Sequence, residues 1–296
     1  MLCGCRCSES GPPRDLLQLV PARADLVVSV DLVTLRRSDV MAKLFKGRKK
    51  PGPSGSADRP SFRALGFDPA RDLDRVVLAA GGEGGRLEFL VLITGRLDRQ
   101  RVLDALDRRA RGKLTHRSHQ GHTLYEDGTG NTLLFLGRSS MVVVSRGWSD
   151  LVLARLRGQG RSVLGGNRQL AGDIRAVRGS HPAWLVSRLA PAMGRYLAHR
   201  LEVTELQQLR SVEGNLRAAA GQLQLRLALR LDGEGGARSL EGRLARVQSR
   251  RLSPSAARRL RVERKGRRVV LRLTLTVAQI QEILDHLGQG GQGGGG

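Results

Sequence analysis

Apolar positions along the chain fall into short runs with two periods, and one stretch shows both. Leu87 to Thr94 is apolar and rich in β-forming residues, the right length for a strand and too short for a membrane span. Gly95 breaks the run. Asp98 stands where a helix N-cap belongs, and Val102, Leu103 and Leu106 recur behind it at helical spacing. The pattern predicts a buried strand feeding directly into an amphipathic helix that ends near Arg111-Gly112.

The same logic divides the rest of the chain. Asp25–Leu32 reads as a strand, and Val33–Phe45 as one helix with Leu35, Val40, Met41 and Leu44 near one face. Phe62–Phe67 reads as a helical turn and Leu73–Ala80 as a strand. Gly81-Gly-Glu-Gly-Gly85 reads as a hairpin turn. It lacks the GxxxxGK[ST] pattern and no helix follows it, so it offers no phosphate cradle. Strands are predicted at Lys113–Ser118, His122–Glu126, Asn131–Leu136 and Ser140–Ser145, separated by Gly-containing turns. Helices follow at Trp148–Leu156 and Arg168–Val177, with a loop at Gly158–Gly166. In the second half, Ala183–Leu189 is a strand and Pro191–Ser211 largely helical. Val212–Ala220 and Gln222–Leu231 are strands, Ala237–Val247 a helix, Leu260–Glu263 and Arg268–Thr276 a strand pair, and Val277–Leu287 a closing helix. Gln222–Leu231 alternates cleanly: Leu223, Leu225, Leu227, Leu229 and Leu231 face one way, and Gln224, Arg226, Ala228 and Arg230 the other. That is a sheet with one wet face.

Set side by side, the halves show the same order. A strand and helix at Asp25 correspond to those at Ala183, Leu73–Ala80 to Val212–Ala220, and Leu87–Leu97 with its helix to Leu223–Leu231 with its helix. The expected fold is α+β: two similar lobes, each a mostly antiparallel sheet with helices packed on one face. The boundaries are a terminal tether at 1–14, a first lobe at 15–178, a second lobe at 179–287 and a Gly/Gln-rich disordered tail at 288–296. Within the first lobe, 46–60 reads as a flexible basic loop. Edge strands of the two lobes could pair into one sheet.

Composition changes the picture in one respect. Aromatics are only 3% of 296 residues, so the core is built from Leu, Val and Ala. Formal net charge is +24, which points to an anionic partner. Nearly all the cations are Arg, and with abundant Gly, Ala and Leu they also fit GC-rich codon usage. Two Trp, two Tyr and five Phe are too scattered to form a base-stacking platform for single strands. In the loop, Lys46, Arg48, Lys49 and Lys50 are the residues placed to touch anions.

Cys3, Cys5 and Cys7 are the only cysteines, so no core disulfide is available. Leu2-Cys3-Gly4-Cys5 is similar to the end of a bacterial lipobox, which would put acyl chains on Cys5, and Ser8-Glu-Ser-Gly-Pro-Pro13 is composed like a linker. A lipobox normally follows a charged segment and an apolar run. Only four residues precede Cys5 here, and the reading expects a start codon placed too late. Leu19-Val-Pro-Ala-Arg-Ala-Asp-Leu-Val-Val-Ser-Val-Asp-Leu32 resembles the opening of uncharacterised bacterial lipoproteins and periplasmic proteins, in which a Val-Pro-Ala-x-Ala strand begins the domain just after the lipidated Cys. Leu65-Gly-Phe-Asp-Pro-Ala-Arg-Asp-Leu-Asp74 and Gly95-Arg-Leu-Asp98 look similar to their later punctuation. The resemblance implies an envelope location and carries no activity.

Candidate chemistry is sparse. His116, His119 and His122 form the one histidine cluster and could hold Zn, Ni or Cu, though on a strand His116 and His119 point to opposite faces. No G-x-S-x-G occurs, and Ser145 and Ser187 lack a local base. The expected function is a non-enzymatic, membrane-anchored cell-envelope protein that binds or scaffolds, without a cofactor, its partner an anionic membrane surface or envelope polymer. The alternatives are a cytosolic nucleic-acid binder using an Arg-rich surface, and a metal-dependent enzyme using His116, His119 and His122.

Overall fold

The Leu87–Thr94 run forms the middle of a ten-residue strand, and Asp98 caps the helix behind it through a 3.1 Å bond from the Arg101 N–H to its carboxylate. The structure is a computed structural model. It describes residues 15–47, 67–68, 71–83, 86–119, 121–179, 181–189, 194–195, 198–199, 203–251 and 259–282. The chain divides into two compact units, Met1–Val33 with Pro53–Gly172, and Thr34–Gly52 with Asp173–Gly296. Both are α+β with antiparallel sheets. The tether at 1–14 and the tail at 288–296 lie outside the described residues. Of the basic loop at 46–60, residues 46–47 end a helix and the rest lie outside the description, as does the helical turn expected before Phe67.

The first unit holds β1 (Leu26–Asp31), β2 (Leu73–Glu83), β3 (Arg86–Gly95), α3 (Arg99–Ala110), β4 (Thr115–His119), β5 (His122–Glu126), β6 (Thr132–Phe135), β7 (Ser140–Val144), α4 (Arg146–Leu156) and the single turn α5 (Val163–Gly166). Its strands run in the order β1-β2-β3-β7-β6-β5-β4, each pair antiparallel. Phe67, Leu73, Ile93, Val102, Leu133 and Met141 form a buried cluster on it. Each such side chain contributes on the order of 1.5–3 kcal/mol of transfer free energy.

Three elements differ from the sequence reading here. The helix expected over Val33–Phe45 is two, α1 (Leu32–Arg36) and α2 (Asp39–Gly47). Ser38 separates them: its hydroxyl donates to the Leu35 carbonyl at 2.7 Å and accepts from the Met41 N–H at 3.4 Å. A side chain has replaced backbone bonding at that point. Gly81 and Gly82 are not turn residues but extend β2 in register with Glu88 and Leu87. Glycine is required at 81 by close approach, since a Cβ there would lie 2.6 Å from the Arg23 carbonyl oxygen. The expected loop at 158–166 contains α5, a turn too short to leave a periodic pattern.

The second unit holds α2, β8 (Ala183–Arg188), a 3-10 turn at Thr204–Gln208, β9 (Leu209–Ala219), β10 (Gln222–Leu231), α7 (Glu234–Arg251), β11 (Leu260–Lys265), β12 (Arg268–Thr276) and a helix over residues 277–282. The helix α6 (Arg168–Arg178) crosses the boundary between the units. The strand order is β8-β9-β10-β12-β11, again antiparallel. Leu209–Ser211, expected at a helix end, opens β9 instead, because it pairs with Leu231 and Arg230. The leucine face of β10 is packed at one end: Leu231 and Leu229 pack with Ala237 and Leu240 of α7 and Val269 of β12, while Leu223, Leu225 and Leu227 are half-buried. A second cluster, Ala198, Leu206 and Leu209, adjoins Leu229. Arg264 on β11 pairs with Glu241 at 3.2 Å, and Arg243 with Glu205 at 3.2 Å, tying α7 to its surroundings.

Candidate functional site

The histidines fall on one hairpin. His119 stands directly opposite His122, whereas His116 is opposite Tyr125, its ring 6.3 Å from the tyrosine ring. An odd spacing along β4 puts His116 on the other face from His119. Among the described residues no group of three His, Cys, Asp or Glu side chains converges as metal ligands would. Ser145 donates to the Glu88 carboxylate at 2.5 Å, and the Gly147 N–H donates to the same carboxylate at 3.0 Å. The Ser145 oxygen also accepts from the Phe89 N–H at 2.9 Å. This is a helix cap supplied from β3 to α4, with no histidine in it. Ser187 is buried, and its hydroxyl has no hydrogen-bond partner. Lys46 lies in the last turn of α2. Cys5, Arg48, Lys49 and Lys50 lie outside the described residues.

The residues that do come together are arginines, on the wet face of the second sheet. Cross-strand register decides which side chains are neighbours, because directly opposed residues share a face. Arg226 of β10 is opposite Arg272 of β12, and Arg272 is opposite Arg261 of β11. Four residues along, Arg230 is opposite Arg268, and Arg268 is opposite Lys265. Two rows of three cations therefore cross β10, β12 and β11. Strand geometry sets about 4.8 Å between neighbours in a row and about 13 Å between rows. Between them runs Ala228–Val270–Glu263.

Like charges directly opposed destabilise a sheet by up to about 1 kcal/mol per pair. Two glutamates relieve part of this, and both act on the central strand. Glu263 accepts from Arg272 at 2.6 Å, and Glu213 of β9 accepts from Arg268 at 2.6 Å. The Arg272 hydrogen bond, followed by its charge and those of Lys265 and Arg261, holds the Glu263 carboxyl below its ordinary range. The Arg268–Glu213 bridge spans β10 beside Ala228, which is only 2% exposed although it lies on the polar face. The flanking cations are less well matched. Arg226 and Arg230 have no carboxylate partner among the described residues.

A third group extends the basic field. Arg217 of β9 is opposite Gln224, one step along the same face from Asn215 and Arg226. His181 precedes β8, and its Nδ1 is buried without a hydrogen-bond partner. Burial first, and then the charges of Arg217 and Arg226, hold this imidazole below its ordinary range. The one aromatic residue on the strands of this sheet is Trp184, which is buried. Among the described residues this surface offers guanidinium groups, amides and one imidazole, and no exposed Phe, Tyr or Trp on which a base could stack.

The alternation of Gln222–Leu231 puts Arg226 and Arg230 on the wet face but does not reveal the rows they belong to. The partners of Arg226 lie 35 and 46 residues away, at Arg261 and Arg272, and only the pairing of β10 with β12 brings them together.

No protein-family model and no curated protein sequence matches the chain. Solved structures do. Crystal form III of TP0453 superposes with a TM-score of 0.56 at 14% identity, over 90% of this chain and 96% of that one. Crystal form I gives 0.54 at 15% identity, over 93% and 98%. At such identities the likeness is one of fold. It extends over nearly the whole length of both chains.

Proposed function

We propose that this chain is a non-enzymatic cell-envelope protein of two similar lobes, tethered to a membrane through lipid on Cys5, whose body binds anionic envelope material. The observation that carries the binding role is the pair of cation rows on β10, β12 and β11: GC-rich codon usage explains many arginines, but not their alignment against like charge across three strands. The matching strand orders, β1-β2-β3-β7-β6 and β8-β9-β10-β12-β11, support the two-lobe reading. The tether is supported by Leu2-Cys3-Gly4-Cys5 and the Pro-rich segment behind it. No described helix is long and apolar enough to cross a membrane, so stable attachment would fall to the acyl chains, and several hold where one does not.

Expression in a bacterial host from the gene with its upstream in-frame sequence, with labelled palmitate supplied, tests the tether. The expected outcome is label in the membrane fraction that is lost in Cys5→Ser. A protein that stays unlabelled, with no apolar run encoded upstream, returns it to the cytosol. The Arg surface would then be read as a nucleic-acid contact, with steep salt dependence of DNA affinity as its mark.

A further inference from the structure

The form of the rows says what kind of anion they suit. We infer that the β10–β12–β11 face is a track for a linear, base-free phosphate polymer, laid across the strands along the cation rows; this rests on the anionic partner proposed above and narrows it.

Three features argue for it. First, the cations are arranged in lines. Arg226, Arg272 and Arg261 follow one another at the strand spacing of about 4.8 Å, as do Arg230, Arg268 and Lys265. A bilayer presents diffuse charge and gains nothing from alignment, whereas a chain with regularly repeated charges does. Second, five of the six cations are arginine, whose planar fork matches two phosphate oxygens at once. Third, the glutamates are placed to hold the middle of each row. Glu263 fixes Arg272 and Glu213 fixes Arg268, which leaves Arg226, Arg230, Arg261 and Lys265 flanking them. Arg226 and Arg230, on the strand nearest the centre of the sheet, have no carboxylate among the described residues. A polyanion supplies the countercharge that the sheet withholds. Single-stranded nucleic acid is a poorer match, because among the described residues the face has no exposed Phe, Tyr or Trp to reward bases.

The test uses the full chain, long-chain inorganic polyphosphate, oligo(dT) and vesicles of phosphatidylcholine with phosphatidylglycerol. The variant is Arg226→Gln with Arg230→Gln. The control is Arg108→Gln with Arg138→Gln, two exposed first-unit arginines that remove the same charge. Circular dichroism confirms that both fold. With about four cations left to meet phosphate, log K against log salt has a slope of roughly −3, falling to about half in the variant. Polyphosphate affinity drops at least about tenfold in the variant and less than about twofold in the control, while vesicle binding is the same in both. Equal loss in variant and control overturns the track. So does oligo(dT) binding more than about tenfold tighter than polyphosphate per phosphate. If the variant loses vesicle binding as well, the face belongs to the bilayer: the track fails and the anionic partner stands. If the wild-type chain binds neither polymer nor vesicle, both readings fail.

Discussion

His181 shows how a single side chain can carry the electrostatics of this surface into stability. Burial, Arg217 and Arg226 all disfavour its charged form, so the folded protein takes up a proton there less readily than the unfolded chain does. Stability is therefore unaffected well above pH 6.5, the ordinary value. It declines as pH falls below that, where the unfolded state binds the proton and the native state does not. His181→Gln is expected to flatten the fall in urea midpoint between about pH 7.5 and 5.5 relative to wild type. A parallel pair of pH profiles would show that His181 is not desolvated as described. Gly95 marks another residue-level constraint. Its φ is 154°, and a Cβ there would lie 1.9 Å from the Asp72 carbonyl oxygen. The break after Leu87–Thr94 was legible because only glycine fits such a position.

At the scale of elements, capping decides where chains turn, and it was only partly legible. Asp98 announces α3 from its place before the helical run. The cap of α4 is different, since its carboxylate comes from Glu88 on β3, 57 residues before Ser145. No local pattern could reveal it. Glu88→Ala removes the acceptor for both Ser145 and the Gly147 N–H and is expected to cost about 1–2 kcal/mol, read as a lowered urea midpoint with unchanged slope. Gly81 departs from the expected turn for the opposite reason: glycine there serves a close approach beside Arg23, not a reversal of direction. Gln222–Leu231, with its strict alternation, forms a strand with those bounds, although only its Leu229 and Leu231 pack against α7 and Ala228 on the opposite face is itself buried. The cation rows stayed hidden, because register between strands is a property of pairing and not of either strand alone.

For the whole molecule, the combination of net charge +24 and long antiparallel sheets raises the question of how free sheet edges stay unpaired. At β4, the far edge of the first sheet, Thr115–Ser118 are exposed and Arg117 is held by Glu126 at 2.8 Å. A short, hydrated strand bearing histidine and arginine is a poor template for a second chain. Arg117→Val with His119→Val substitutes β-forming side chains on one face of that strand. Concentration-dependent light scattering should then appear at physiological salt, where mutual repulsion between molecules is screened within about 8 Å. β4 thus acts as a selvedge: a few polar side chains finish off the margin, so that this edge gives a second copy little to pair with even where the repulsion between molecules is switched off.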